Sequence, residues 1–427
     1  VDARIKNASE ALFELRDPEG RIALQQTLRA DGPVLCESVA FDNPRLWWCA
    51  GHGDQPVYTA ALRVGEHALC RSVGFRTVRL VMNEGAWARP SDFPKSRSDA
   101  PITLELNGRR IFAKGSNWVP PEIFPGTITA ETYRPLVERA VEAHMNIFRV
   151  WGGGMVGKES FFDCCDRLGV MVWQEFPLSC NKYPDDPEYL RVLEREAVSI
   201  LRRVRTHPSL VLWCGGNELF NSWSRMTEQS HALRLLDKLC YEEDRHTPFI
   251  MTSPLNGMGH GNYVNLNYDG VETIGKLIAS HNTAYTEFGC PGASPADYIR
   301  SFMSPEDYEN PREGSVWEDH HAFKAWQEDT WFRQQEVAYY FGALEGTDAK
   351  VAATERIQSI CYQLMFEEMR RQWPQCSMAL NWCYNEPWPC AANNSLINWP
   401  CKPKPAYYAV QAALRPQSVT ARLPRIR

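Results

Sequence analysis

Two glutamates stand where the residue types around them suit chemistry. Thr206-His-Pro-Ser-Leu-Val-Leu-Trp-Cys-Gly-Gly-Asn-Glu218 runs from a loop through a short apolar stretch, residues 210–213, into a glycine pair. It then presents Asn217 and Glu218 side by side. The second glutamate, Glu287, directly follows another plausible strand at 283–286. One carboxylic acid kept protonated and one carboxylate kept ionised can together protonate a leaving group and attack an acetal carbon. Such pairs stand about 5–5.5 Å apart where configuration is retained and about 6.5–9.5 Å apart where it is inverted. The acid needs burial or a neighbouring negative charge, and the Trp213-Cys214 wall before Glu218 is suited to supply the burial. The nucleophile needs hydrogen-bond donors, and Tyr285, two residues before Glu287, is a candidate. Asn217 can hold a ring hydroxyl more strongly in the transition state than before it. On its own strand, Asn217-Glu218 also reads as a helix cap.

What decides between these readings is the set of elements that would position the pair. From Pro101 onward, strands alternate with helices. Strands are expected at 109–115, 146–150, 170–173, 210–213, 249–252, 263–267, 283–286 and 378–382. A helix starting near Pro135 carries the stripe Leu136, Val137, Ala140 and Val141. The next buries Phe161, Phe162, Cys165 and Leu168 and stops at Gly169. Eight such units over residues 99–427 predict a (β/α)8 TIM barrel, which keeps its chemistry at the C-terminal ends of its strands. An open doubly wound sheet is the rival, but no Gly-x-Gly-x-x-Gly follows a strand. The strand ends form a series: Asn117 and Trp118, Arg149 and Trp151, Gln174 and Glu175, Asn217 and Glu218, Tyr285 and Glu287, then Trp382, Asn385 and Trp388. Six such ends in order are hard to explain by packing alone.

Each of these residues also has a plainer reading. Trp118 and Trp151 line a pocket or plug the barrel. Arg149 is expected to keep a carboxylate ionised. Glu175 either touches substrate or pairs with Arg149. His207, before Pro208, reads as a structural hydrogen-bonder, and His260, between two glycines, as a weaker candidate to reach the pocket from the fifth loop. Nothing near His320-His321 completes a ligand set, so neither a metal nor another cofactor is expected.

The remainder of the chain reads differently. Residues 1–98 carry short alternating runs at 11–15, 57–64 and 77–81 between turn-rich pieces, the pattern of a small β-sandwich. The polar, proline-rich stretch 89–101 reads as a linker. The expected organisation is therefore multidomain α/β, with a sandwich at 1–98 and a barrel at 99–427. A net charge of -6 and a pI near 6.0 give no reason to expect nucleic acid or an anionic membrane as partner. No apolar run approaches the roughly 20 residues that span a bilayer. The fourteen cysteines lack metal-type pairing and read mostly as reduced core residues. The fifteen tryptophans suit sugar-ring platforms as well as packing. The sequence starts at Val1 without Met or a signal-like segment, as expected of a processed chain or a fragment. Compartment and homo-oligomerisation stay open.

The segments Lys114-Gly-Ser-Asn-Trp-Val-Pro120, Asn146-Ile-Phe-Arg-Val-Trp-Gly-Gly-Gly154, Val172-Trp-Gln-Glu-Phe176 and His207 through Glu218 resemble glycoside hydrolase family 2. Thr286-Glu-Phe-Gly289 and Lys404-Pro-Ala-Tyr-Tyr408 extend the match. The RVWGGG and GSNW forms look most like the β-mannosidase branch. The resemblance implies a retaining double displacement on a glycoside or oligosaccharide, with Glu218 as acid/base and Glu287 as nucleophile. It further implies that Asn217 holds the 2-hydroxyl, that Trp382 or Trp388 walls the subsite, and that residues 1–98 are an immunoglobulin-like domain. The family's N-terminal jelly roll and C-terminal β domains have no counterpart in this sequence. Tyr285-Thr-Glu-Phe-Gly-Cys-Pro291 departs from the SEFGFQS form, and Asn381-Trp-Cys-Tyr-Asn-Glu386 from YWQLND. The alternatives are another family 2 activity (β-galactosidase, β-glucuronidase or exo-β-glucosaminidase) and a non-catalytic carbohydrate binder.

Overall fold

The computed structural model of the chain describes residues 2–4, 9–30, 32, 34–86, 99–261, 263–267, 269–324 and 331–417. Eight parallel strands form one sheet: β1 (Ala113–Trp118), β2 (Ile147–Val150), β3 (Met171–Glu175), β4 (Leu210–Cys214), β5 (Phe249–Ile250), β6 (Met258–His260), β7 (Ala284–Glu287) and β8 (Met378–Asn381). Their hydrogen-bonded order is β5-β4-β3-β2-β1-β8-β7-β6, the sequence of neighbours around a (β/α)8 TIM barrel. Helices α1 (Ala130–Glu142), α2 (Glu159–Leu168), α3 (Pro187–Val204), α4 (His231–Asp244), α5 (Thr273–Ala279), α6 (Thr347–Arg371) and α7 (Pro405–Ala413) accompany them.

Two apolar layers hold the barrel. Outward-facing strand residues such as Phe148, Val172 and Trp213 meet Leu136, Phe161, Leu201, Leu236 and Phe366 of the helices. Inward-facing Ile147, Met171, Trp173, Leu212, Met258, Ala284, Met378 and Leu380 close the interior. The alternation follows from the strand repeat of two, which sends successive side chains to opposite faces. The floor is finished by a three-stranded antiparallel sheet, Val78–Val81, Thr103–Leu106 and Arg109–Ile111. Its Leu104, Leu106 and Ile111, with Ile102 just before the second strand, are fully buried against the interior residues. This sheet pairs residues on both sides of the boundary expected at 98/99, so the junction is a packed floor there. Asn83 adds hydrogen bonds to Thr283 O and Ser377 Oγ, each at 3.0 Å. Residues 89–98 of the expected linker lie outside the described residues.

Three expected elements shift. The run at 109–115 divides: 109–111 joins the floor sheet, and the barrel strand begins at Ala113. Helix α1 starts at Ala130, where Thr132 Oγ1 accepts from Thr129 N at 3.1 Å, and Pro135 lies inside it. The sixth strand is Met258–His260 and not 263–267. Gly259 permits this, since a Cβ there would sit 2.6 Å from Tyr285 Cδ1 on β7. The more regular Tyr-Val-Asn-Leu-Asn alternation falls in the following loop.

At the N-terminal side, Ile22–Arg29, Glu10–Arg16, Tyr58–Val64 and His67–Val73 make a four-stranded antiparallel sheet beside the pair Asp2–Arg4 and Val34–Cys36. Trp47 anchors this region to the barrel, its indole N–H donating to Asp166 O at 2.7 Å. All fourteen cysteines are free.

Candidate active site

The site begins at the exit of β4. Gly215 and Gly216 let the chain pass between neighbouring loops. A Cβ at the first would lie 2.3 Å from Met251 O, and at the second 2.3 Å from Leu178 O. Glu218 then adopts a left-handed backbone with φ 55°, a conformation costly for a residue with a Cβ. The bond from its N–H to Ser253 O, 2.8 Å, helps to hold it there. Its side chain stays 19% exposed.

Glu287 ends β7 and is almost wholly buried. Its Oε1 accepts from Arg149 Nη1 at 2.6 Å, and its Oε2 from the Tyr263 hydroxyl at 2.5 Å. His260, at the end of β6, lies between the two glutamates. Its Nε2 stands 3.0 Å from Glu218 Oε1 and 3.1 Å from Glu287 Oε2. Burial by itself would raise the Glu287 carboxyl. The His260 and Arg149 charges and the Tyr263 hydroxyl outweigh it and hold the group down at about 2. Burial would likewise lower the His260 imidazole, but Glu287 and Glu218 hold it up at about 9. Glu287 is thus held ionised with the His260 imidazole beside it.

Arg149, from β2, organises the mouth. Fully buried, it donates to Glu175 Oε1 (2.8 Å), Asn117 Oδ1 (2.6 Å) and Asn217 Oδ1 (2.6 Å) as well as to Glu287. Burial opposes its charge, but Glu175 and Glu287 hold its proton more firmly than usual. A planar five-donor fork suits such a role, whereas an ammonium would not span four acceptors in one plane. Glu175 Oε2 accepts from Gly152 N at 2.8 Å, so this glutamate is an ion-pair partner of Arg149. Its own carboxyl is raised by burial, against the pull of Arg149.

The structure brings together Glu218, Glu287, Asn217, Arg149 and Asn117. Trp151 and Trp382 meet edge to face, ring centroids 5.0 Å apart, on the wall of a cleft of about 580 Å³ that Met155, Ile123 and Trp331 continue. Two expected residues lie elsewhere. Trp118 points outward into the helix layer, among Tyr133, Phe148, Phe161 and Tyr384. The ring of Tyr285 also points outward, its hydroxyl bonded to Ser280 and to Gln372 Oε1, so it cannot reach Glu287. Both follow from the two-residue strand repeat: Asn117 and Thr286 take the inward places beside them. Trp388 stacks on His320 with centroids 5.4 Å apart. Tyr263 supplies the donor expected of Tyr285. Its signal in the sequence was hidden by the strand pattern around it.

Among the described residues, the cluster whose ligand-type atoms lie within 4.8 Å of one another is Asp163, Asp166 and His207. Asp166 Oδ2 is 2.6 Å from His207 Nδ1, and Oδ1 accepts from Ser209 N at 3.0 Å. It stands at the start of β4, opposite the mouth, and ties α2 to that strand. No described helix is long and apolar enough to cross a membrane.

The fold is a TIM barrel with glutamates after its fourth and seventh strands, and comparison with known proteins finds the same fold. Residues 157–264 match the glycosyl hydrolases family 2, TIM barrel domain. The chain's sequence is also similar to β-mannosidases. It is 28% identical over 463 residues to β-mannosidase B of Emericella nidulans, covering 97% of this chain and 52% of the relative. Against β-mannosidase B of Aspergillus terreus it is 29% identical, covering 90% of this chain and 48% of the relative. The crystal structure of β-D-mannosidase from Dictyoglomus thermophilum superposes with a TM-score of 0.83 at 28% identity, over 95% of this chain and 51% of that one. The exo-chitosanase of Amycolatopsis orientalis shares the fold with a TM-score of 0.74 at 17% identity. The chain thus spans about half the length of the curated relatives it matches.

Proposed function

We propose that this chain is the catalytic part of a retaining exo-acting β-glycosidase, with β-mannosides as its substrates. The observation that carries the reading is the single histidine nitrogen between Glu218 and Glu287. Its two contacts keep the facing carboxylate oxygens no more than about 6 Å apart, short of the inverting range of about 6.5–9.5 Å. Glu287, held ionised, is the nucleophile that forms the glycosyl–enzyme bond. Glu218, the more exposed of the two, meets the glycosidic oxygen, protonates the leaving group and then activates water. Asn217, fixed by Arg149, faces the sugar's 2-hydroxyl, and Trp382 with Trp151 walls the subsite. The choice of mannose rests on the sequence similarity to β-mannosidases.

Replacing Glu287 with Ala is expected to reduce kcat/KM on an aryl β-mannoside roughly ten-thousandfold. Azide should restore turnover in that variant with an inverted product. Glu218→Ala should cost roughly 10²–10⁴-fold. Full activity in either variant would end the reading.

A further inference from the structure

The loop after β3 brings a thiol to the proposed acid/base. Phe176–Cys180 runs alongside the exit of β4, with Asn217 N donating to Leu178 O at 2.9 Å and Cys180 N donating to Asn217 O at 3.0 Å. Cys180 itself takes a left-handed backbone, φ 49°, which turns its side chain toward the mouth. Its Sγ lies 3.3 Å from Glu218 Oε2 and accepts from Asn217 Nδ2 at 3.2 Å and from the Ser179 hydroxyl at 3.4 Å.

These contacts have one consistent polarity. Arg149 donates to Asn217 Oδ1, which obliges the amide nitrogen to point the other way, at Cys180. With two donors already aimed at its sulfur, the Cys180 thiol has its own hydrogen left for the oxygen it faces, Glu218 Oε2. The buried guanidinium thus touches Glu287 directly and Glu218 through an amide and a thiol. Cys180 is exposed, so the position is reachable from solvent.

Resting on the glycosidase reading, we infer that Cys180 is a positioning residue for Glu218: its thiol donates to Oε2 and holds the acid/base aligned between substrate and the Arg149 network. A sulfur hydrogen bond is weak, but one made to a charged group is worth enough to bias a partly exposed side chain. The opposite oxygen, Oε1, faces His260, whose ring also meets Glu287 and Thr286. The carboxylate is therefore flanked on both sides, and removing the thiol takes away the neighbour at Oε2. Partial burial of the sulfur, the residue being otherwise exposed, holds the thiol above its ordinary range first; the Ser179 hydroxyl partly offsets this and the Glu218 carboxylate adds to it. That direction agrees with a hydrogen kept on sulfur.

The test has two arms, both on the full chain. In the first, Cys180→Ala is compared with the unsubstituted chain on β-mannosides with poor (phenyl or alkyl) and good (dinitrophenyl) leaving groups. Protonation by Glu218 limits the first kind most. The ratio of kcat/KM, poor over good, should fall about tenfold, the order expected for one hydrogen bond to a charged group. Cys180→Ser, which keeps a donor, should recover most of it. An unaltered ratio would overturn the inference. The second arm needs no turnover: iodoacetamide labelling at pH 8, followed by peptide mass spectrometry. Glu218→Gln removes the charge facing the thiol, so Cys180 should label severalfold faster, while the exposed Cys36 and Cys70 keep their rates. Equal Cys180 rates would overturn the inference. If the unsubstituted chain hydrolyses no β-glycoside, the function reading fails and the labelling arm still decides this one.

Discussion

The two ends of the barrel are built from the same strands with opposite materials. At the floor, Ile147, Met171, Ala284 and Met378 meet Leu104 and Ile111 in a wholly apolar contact. At the mouth, the inward places two to four residues further along hold Arg149, Glu175 and Thr286, with Glu287 and His260 at the rim. Trp173 lies between the two, with the Arg149 guanidinium over its ring at 5.3 Å. The floor gains from every apolar atom removed from water. The mouth loses by burying charge and recovers only because each charge finds partners. One end therefore serves stability alone, while the other couples stability to chemistry.

That contrast can be broken or sharpened by substitution. Arg149→Met would strand Glu175 and Glu287 without their cation. It should destabilise by about 3–5 kcal/mol in denaturant unfolding and abolish turnover together with stability. Retained activity would separate the two roles that the mouth is said to combine. Leu104→Ala at the floor should cost about 2–5 kcal/mol yet leave kcat/KM within a few-fold at low temperature. A large loss of kcat/KM at full folding would show the floor reaching the chemistry.

The third effect is a pH dependence. His260 is held near 9 against an ordinary 6.5, so its contribution is complete below pH 6.5 and is lost as pH climbs toward 9. Its size is on the order of 3 kcal/mol. Glu287 works with the other sign. Held near 2 against 4.5, it stabilises above pH 4.5, and that part is lost as pH falls toward 2. Melting temperature should therefore plateau between about 4.5 and 6.5, and His260→Asn should flatten the alkaline slope. An unchanged alkaline slope would place the histidine's charge outside the network.

Much of this was legible in the order of residues. The glycine pair before Asn217 and the strand-end series announced a barrel mouth, because strands buried on both faces read as short apolar runs with polar ends. The failures share one physical cause. Along a strand the repeat of two decides whether a side chain faces the interior or the helices, and a one-residue error exchanges them. Trp118 and Tyr285 were expected at the mouth and face the helix layer. Asn117 and Thr286, one place away, face inward. For β6, a three-residue strand containing glycine carries almost no periodicity, and the better alternation at 263–267 misplaced both His260 and Tyr263. Arg149 was read for its charge effect, but its four partners come from four different strand ends. Cys180 left no signal, since its role depends on a loop crossing beside β4.

The central claim is that Glu287 attacks the sugar and Glu218 assists. Incubation with 2-deoxy-2-fluoro-β-mannosyl fluoride, followed by peptide mass spectrometry, tests it most directly. A stoichiometric fluoromannosyl adduct on the peptide bearing Glu287, absent in Glu287→Ala, is the expected result. An adduct on another residue, or none from a chain that turns over aryl β-mannosides, would contradict it.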